Sequence, residues 1–197
     1  MMFEKFAFDT LWRIGLWKKM QKSNVQGKIW KVIKCMYQNI KTCIRKGNKY
    51  SEFFNCEIGV KEGENLSPFL FSLYLNDLEF FFGENNVNGL DSISAKCLEW
   101  LGFIKFIIIL YADDTVIMSE TEEGLQQALL NFEQYCDLWK LKINTQKTKI
   151  VIFSKWKYKA QRSFKLYDEN IDIVDSYTYL GVVFNYNGNY CTVKKKD

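Results

Sequence analysis

Between residues 103 and 118 the chain reads Phe103-Ile-Lys-Phe-Ile-Ile-Ile-Leu-Tyr111-Ala112-Asp113-Asp114-Thr115-Val-Ile-Met118, and few folds accommodate such a stretch. Two runs rich in β-branched and aromatic residues suit pleated, half-buried strands, and the break between them marks a turn. The stretch therefore predicts a β-hairpin with Asp113 and Asp114 at or beside its turn. An unpaired carboxylate is strongly disfavoured among apolar groups, so the acids require water, a cation or lysines. Asp is also a common turn residue, which alone would account for the pair. The rest of the chain decides between these readings.

Around this hairpin the apolar pattern predicts alternating elements. Residues Phe3 to Phe8 read as a short strand and Leu11 to Gln21 as a helix. Over Gly27 to Lys46, Ile29, Trp30, Ile33, Met36, Tyr37, Ile40 and Ile44 recur at spacings of three and four, which predicts an amphipathic helix. A Gly47-Asn48 turn and a strand from Tyr50 to Ile58 follow. Asn65-Leu-Ser67-Pro68 marks a helix start, with Ser67 as cap and Pro68 at the first helical position, and the helix runs to about Phe82 before a polar loop over 83–89. Glu122 to Trp139 is a further amphipathic helix; Lys149 to Ser154 and Tyr177 to Phe184 read as strands. The sum is an α+β domain with a mainly antiparallel sheet and helices packed on one face.

The 197 residues contain no histidine, which excludes Ser-His-Asp, Cys-His and His-zinc chemistry and leaves carboxylates, thiols, lysines or a bound metal. Six cysteines are scattered without a C-x-x-C pair, consistent with free thiols in a reducing, intracellular setting. Glu4, Lys5 and Asp9 argue against a signal peptide, and the most apolar run, Leu101 to Ala112, is 12 residues long and too short to span a bilayer. The net charge of +4 conceals a division: residues 1–60 carry 12 basic and 4 acidic side chains, 61–138 carry 3 and 14, and 139–197 carry 12 and 5. An acidic middle between basic flanks suits a cation-collecting site beside surfaces that hold a polyanion, although charge runs are also ordinary solvated faces. Aromatics interleave with the second basic block in Phe153-Ser-Lys-Trp156-Lys-Tyr158-Lys, a mixture fit for base stacking and phosphate contact.

Tyr111-Ala112-Asp113-Asp114 is preceded by Gly59-Val-Lys-Glu-Gly63-Glu-Asn-Leu-Ser67-Pro68-Phe-Leu-Phe71 and followed by Asn144-Thr-Gln-Lys147-Thr148-Lys149. In this order the segments resemble the reverse transcriptases of non-LTR (LINE-type) retrotransposons, colinearly from Ala7-Phe8-Asp9 to Tyr179-Leu180-Gly181. The resemblance implies the palm of a right-hand polymerase, with the region after about residue 176 beginning the primer grip and thumb. It implies an RNA-directed DNA polymerase that uses Mg²⁺ or Mn²⁺, with an RNA template, a DNA primer and a dNTP as partners and no membrane. Asp113 and Asp114 would be the catalytic, metal-binding pair; because successive strand side chains alternate in direction they would not be equal ligands, and Asp113 is expected to be the principal one and Asp114 the secondary. Phe8, Gly63, Tyr111, Ala112 and Lys147 would contact the nucleotide. Phe8 would lie under the incoming sugar, or else be a core aromatic; Gly59 and Gly63 would let backbone approach template and nucleotide; Lys147 or Lys149 would stand near the triphosphate, or be solvated. Tyr179, Leu180 and Gly181 would grip the primer.

Two departures from the family pattern stand out. Its first metal carboxylate falls on Phe3 or, if Phe6 is an insertion, on Met2, and neither side chain binds Mg²⁺. Glu4 would point to the opposite strand face unless a bulge re-aimed it. Glu62 replaces the family's usual glutamine and brings an anion toward the triphosphate. The expectation is a partial domain, 1–197, without fingers or endonuclease, with impaired activity. The alternative expectations are a non-catalytic nucleic-acid-binding remnant and an unstable fragment.

Overall fold

The computed structural model describes residues 7–61, 63–85, 108–111, 114–156 and 163–192. Its first element, α1 (Ala7–Thr10), is one helical turn where Ala7 and Phe8 were expected to end a strand. The remainder of that expected strand lies outside the described residues.

Helix α2 (Arg13–Lys22) is closed by Asn24 at φ 62°, where Asn24 N–H bonds to Gln21 O and Val25 N–H to Met20 O. Asn tolerates this left-handed position, so the helix stops with its last carbonyls satisfied. Helix α3 (Gly27–Met36) ends ten residues before the expected Lys46. Tyr37 leaves helical geometry and Asn39 takes φ 57°, and the chain then rises as an arm built from β1 (Lys41–Thr42), β2 (Arg45–Lys46), β3 (Lys49–Tyr50) and β4 (Phe54–Asn55). The reason is a coincidence of periods: Met36, Ile40 and Ile44 are four apart, a spacing that suits one face of a helix and equally one face of a strand.

The predicted single helix after Asn65 is two, α4 (Leu66–Leu75) and α5 (Leu78–Glu84), broken at Asn76 and Asp77. Ser67 is not the cap: it lies inside α4, and its Oγ donates to Lys61 O at 2.5 Å. Pro68 is consequently the third helical residue, still within the first turn where its missing N–H is harmless.

The apolar hairpin forms as expected from β5 (Ile108–Tyr111) and β6 (Asp114–Ile117), with Tyr111 opposite Asp114. Helix α6 (Glu122–Leu138) begins at Thr121, whose Oγ1 accepts from Gly124 N–H at 3.0 Å, with Glu122 and Glu123 favourably placed in its first turn. Lys140 at φ 53° and the Leu141 N–H to Cys136 O bond (2.8 Å) close its other end.

Beyond it, β7 (Lys149–Ile150) is shorter than the predicted strand and pairs in parallel with β9 (Glu169–Ile173), which also pairs antiparallel with β8 (Phe164–Leu166). Strands β10 (Ser176–Tyr179), β11 (Val182–Asn185) and β12 (Tyr190–Thr192) form an antiparallel meander. The mixture of helices with mostly antiparallel pairing matches expectation, but the described strands are distributed over five sheets of two or three strands.

Helix α2 packs on α3 and α4, while α6 packs on α5 and β8. The core lies where these meet: Leu16 and Met20 of α2, Leu70, Phe71 and Tyr74 of α4, Phe82 of α5, and Phe132 and Tyr135 of α6 are all fully buried. Six of the ten α4 residues are buried, which is why its sequence is apolar around most of its circumference.

Candidate active site

Ala112 and Asp113, between β5 and β6 in the sequence, lie outside the described residues; Asp114 opens β6 and is half-buried. Two tyrosines of β10 sense its carboxylate. Burial, and then the negative charge of Asp114, raise the hydroxyls of Tyr177 and Tyr179 above the ordinary tyrosine range; Lys149 opposes the shift at Tyr177. Tyr177 Oη donates to Lys147 O at 3.3 Å, and Lys147 N–H donates to Asn144 Oδ1 at 3.0 Å. Asn144 O also accepts from Thr148 Oγ1 at 2.8 Å. The Asn144 to Lys149 turn is thus tied to itself and to β10. Lys149 Nζ is paired with Asp172 Oδ2 at 2.6 Å, which commits its charge to the β7–β9 ladder.

Three sequence-predicted segments are thereby related: the 144–149 turn is hydrogen-bonded to the 177–184 hairpin, and Asp114 of the acidic hairpin lies within electrostatic reach of that hairpin's tyrosines. The 177–184 hairpin reverses through Leu180 at φ 49° and Gly181 at φ 79°. Two positive φ values make a tight turn whose twist matches the flanking strands. Glycine adopts this geometry freely; an exposed leucine held there is strained by about 1–2 kcal/mol. Such strain clusters at functional sites.

Phe8 and Gly59 belong to a second junction. The Phe8 ring packs on Phe71 of α4, with centroids 4.9 Å apart. Its carbonyl accepts from Val60 N–H at 2.7 Å, and Leu11 O accepts from Gly59 N–H at 2.8 Å. A side chain on Gly59 would place Cβ 2.2 Å from Asp9 O, and the residue has φ 78°. Glycine at 59 is required by this contact with α1. Gly63 also has a positive φ, 79°, but nothing stands within 4 Å of where its Cβ would be. Tyr111 is described only in its backbone, and Met2, Phe3, Glu4 and Glu62 lie outside the described residues.

Two buried charges had no sequence prediction. Arg13 donates through Nε to Gly59 O (2.7 Å), through Nη1 to Tyr37 O (3.0 Å) and Cys56 O (2.7 Å), and through Nη2 to Ile58 O (2.8 Å). A planar guanidinium can satisfy four carbonyls from one position, which a lysine cannot. Lys19, also buried, bonds to Asp77 and to Tyr135 Oη, and its ammonium lies 3.8 Å from the Trp139 ring centroid. Burial pulls its pKa down to about 8 despite the opposing pull of Asp77. Burial also pushes the Tyr74 and Tyr135 hydroxyls well above their ordinary value, reinforced in both by the Asp77 charge. The adjacent Lys18-Lys19 pair offers no sign of which one faces inward; the break that frees Asp77 between α4 and α5 was the one detectable signal, and it lay hidden in an apolar run.

Among the described residues, no group of three or more acidic or cysteine side chains is arranged to hold a metal, and no helix is long and apolar enough to cross a membrane.

The order of these segments defines a class. A family whose description is Reverse transcriptase (RNA-dependent DNA polymerase) matches residues 5–184, and the chain belongs to that family. Its relatives are the polymerases of non-LTR elements. It is 24% identical over 93% of its length to the Pol polyprotein of the type-1 retrotransposable element R2 of Nasonia vitripennis. It is 25% identical over 91% of its length to the RNA-directed DNA polymerase from mobile element jockey of Drosophila funebris. It is 29% identical over 72% of its length to a probable RNA-directed DNA polymerase from transposon BS of Drosophila melanogaster. The chain spans 15–18% of the length of these relatives.

Proposed function

We propose that the chain carries the palm of an RNA-directed DNA polymerase of a non-LTR retrotransposon, working inside the cell on an RNA template, a DNA primer and dNTPs, with an incomplete set of metal-binding carboxylates. The observation that supports it best is the proximity of charge at Asp114: its carboxylate is near enough to Tyr177 and Tyr179 of the β10–β11 hairpin to raise both hydroxyls after burial does, and the Lys147 carbonyl accepts from Tyr177 of the same strand.

The donor chemistry fits Mg²⁺ or Mn²⁺ in part. Asp113 and Asp114 offer hard oxygen ligands, and Mg²⁺ is commonly held by one or two carboxylates, with water and phosphate oxygens completing its shell. When bound, a divalent pair supplies the charge that activates a primer hydroxyl and stabilises a leaving diphosphate. The chain's own residues have separate tasks. Asp113 is the principal ligand and Asp114 the secondary one. Tyr179, Leu180 and Gly181 hold the primer end at the rigid reversal of β10 into β11. Lys147 extends its cation toward the triphosphate from an anchored backbone, Phe8 lies under the sugar, and Gly63 with Tyr111 and Ala112 leaves room for the nucleotide. Met2 or Phe3 occupies the place of the absent first carboxylate, and Glu62 adds repulsion.

The test is primer extension on an RNA template with Mg²⁺ or Mn²⁺, comparing the unaltered chain, Met2→Asp and Phe3→Asp, each with and without Asp113→Asn. One acid substitution should raise extension at least tenfold, equivalent to about 1.4 kcal/mol of barrier, and Asp113→Asn should remove the gain. Strong extension by the unaltered chain that neither acid improves would refute the incompleteness. Extension that survives Asp113→Asn would refute the metal assignment, and its absence from every variant would refute the polymerase reading.

A further inference from the structure

The arm between α3 and α4 has no task in the site described above. Its ladder runs from Ile40 O, which accepts from Cys56 N–H at 2.8 Å, through Thr42 opposite Phe54, to Arg45 opposite Tyr50 and Lys46 opposite Lys49. It reverses at Gly47-Asn48, where Gly47 has φ 62°. From residue 40 to residue 51 the arm carries Lys41, Arg45, Lys46 and Lys49 and no acid; Glu52 follows. Its apolar side chains are also in solvent: Ile44 is 65% exposed, Tyr50 63% and Phe53 70%.

Two details run against a purely structural role. Residues directly opposite in an antiparallel pair share a face, so Lys46 and Lys49 set like charges side by side at the tip, an arrangement that weakens a hairpin unless an anion offsets it. On the other face the Arg45 guanidinium lies 5.7 Å from the Tyr50 ring centroid while its Nε donates to Gly47 O at 2.9 Å, so cation and ring are already ordered together. A cationic ribbon with exposed aromatic rings has the two elements that single-stranded nucleic acid requires, charge for the phosphates and flat faces for the bases.

We propose that the 40–56 arm is a docking surface for single-stranded nucleic acid, separate from the Asp113–Asp114 site, with Lys46 and Lys49 on the phosphates and Tyr50 stacked on a base. The surface does not depend on the metal site, so its test is run in EDTA without nucleotide. Fluorescence anisotropy with a labelled 20-nucleotide RNA of mixed sequence, and with the matching DNA, measures affinity of the full chain between 50 and 200 mM KCl. Arg45→Ala/Lys46→Ala/Lys49→Ala should lower affinity at least tenfold at 50 mM. It should also flatten the log–log salt slope by about 1.4, near 0.7 for each of the two lost phosphate contacts. Tyr50→Ala should weaken binding about fivefold or more with the slope unchanged. A control with the same loss of charge, Lys140→Ala/Lys142→Ala/Lys165→Ala, should have less than a third of the effect.

Equal losses in the two triple variants would overturn the assignment to the arm, because net charge alone would then explain binding. Self-association through the arm with unchanged RNA affinity would overturn it in favour of a protein partner. A measurement that needs no variant guards against misfolding: bound RNA should slow tryptic cleavage after Arg45, Lys46 and Lys49 in the unaltered chain, and undiminished cleavage under saturating RNA would refute the proposal.

Discussion

Lys19 makes the stability of this protein depend on pH in an unusual direction. In the unfolded chain a lysine titrates near its ordinary value of 10.5; in the folded protein burial brings Lys19 down to about 8. Between those values the unfolded chain binds more protons than the folded one, so stability rises with pH across the window. With a 2.5-unit depression, the free energy withheld by charging Lys19 falls from about 3 kcal/mol at pH 8 to about 1 kcal/mol at pH 10, a gain of about 2 kcal/mol. For a chain of this size that corresponds to about 4–8 °C in Tm. Above pH 10 the trend reverses, because Tyr74 and Tyr135 ionise in the unfolded chain but are held protonated in the fold by burial and by Asp77. Circular dichroism melts of the unaltered chain from pH 7 to 11 should therefore show Tm climbing from 8 to about 10 and then falling. Lys19→Met keeps an unbranched side chain of similar length, removes the ammonium that lies over Trp139 and should abolish the rising limb, while changing stability at pH 7 by only about 1 kcal/mol. Asp77→Ala should instead destabilise by about 3–5 kcal/mol at pH 7, since it leaves a buried cation without its counter-charge. A flat profile between pH 8 and 10, or the same rise in Lys19→Met, would refute the argument.

Other outcomes follow from the geometry. Arg13→Lys should cost about 2–4 kcal/mol by chemical denaturation, because an ammonium cannot reach the four carbonyls that the guanidinium satisfies and some are left buried without a donor. Gly59→Ala should destabilise by more than about 2 kcal/mol, as its Cβ would meet Asp9 O, whereas Gly63→Ala, with open space and only its positive φ to resist, should cost about 1 kcal/mol; equal effects would contradict the placement of these loops. Asp114→Asn should lower the ionisation midpoints of Tyr177 and Tyr179, read at 295 nm as a difference against variants lacking either tyrosine, and an unchanged titration would separate Asp114 from β10.

Where local sequence and tertiary packing demand the same thing, the chain was readable. Helix α6 lies within one residue of its predicted bounds, because Thr121, the acidic first turn and the apolar stripe all agree. The β5–β6 hairpin was equally legible, since two β-branched runs around an acidic break have few other uses. The arm was misread because a spacing of four satisfies both helix and strand, and only the left-handed Asn39 distinguishes them. The β8–β9 hairpin went unread although Phe164, Leu166 and Ile171 carry its buried face; its reversal uses Tyr167 at φ 50° and Asp168 at φ 60°, with no glycine to signal a turn. At the site, the motif residues were visible from their order, but their neighbours were not. That the Asp114 charge reaches Tyr177 and Tyr179 depends on how two hairpins separated by more than sixty residues of chain are placed, and no local pattern encodes that.

The Arg13 guanidinium holds a carbonyl just before the arm, that of Tyr37, the carbonyl of the arm's last residue, Cys56, and two just after it, those of Ile58 and Gly59. Both roots of a projection that is otherwise in solvent are thus fastened to one rigid planar group on the first turn of α2. The arm cannot splay at its base without breaking several bonds together, so it behaves as a stiff lever with its fulcrum in the core. Force applied at its tip is delivered to α2, and through α2 to the α4 helix on which Phe8 is stacked. In hydrogen exchange the amides of Cys56, Gly59 and Val60 should open as one unit, at a rate set by this single side chain.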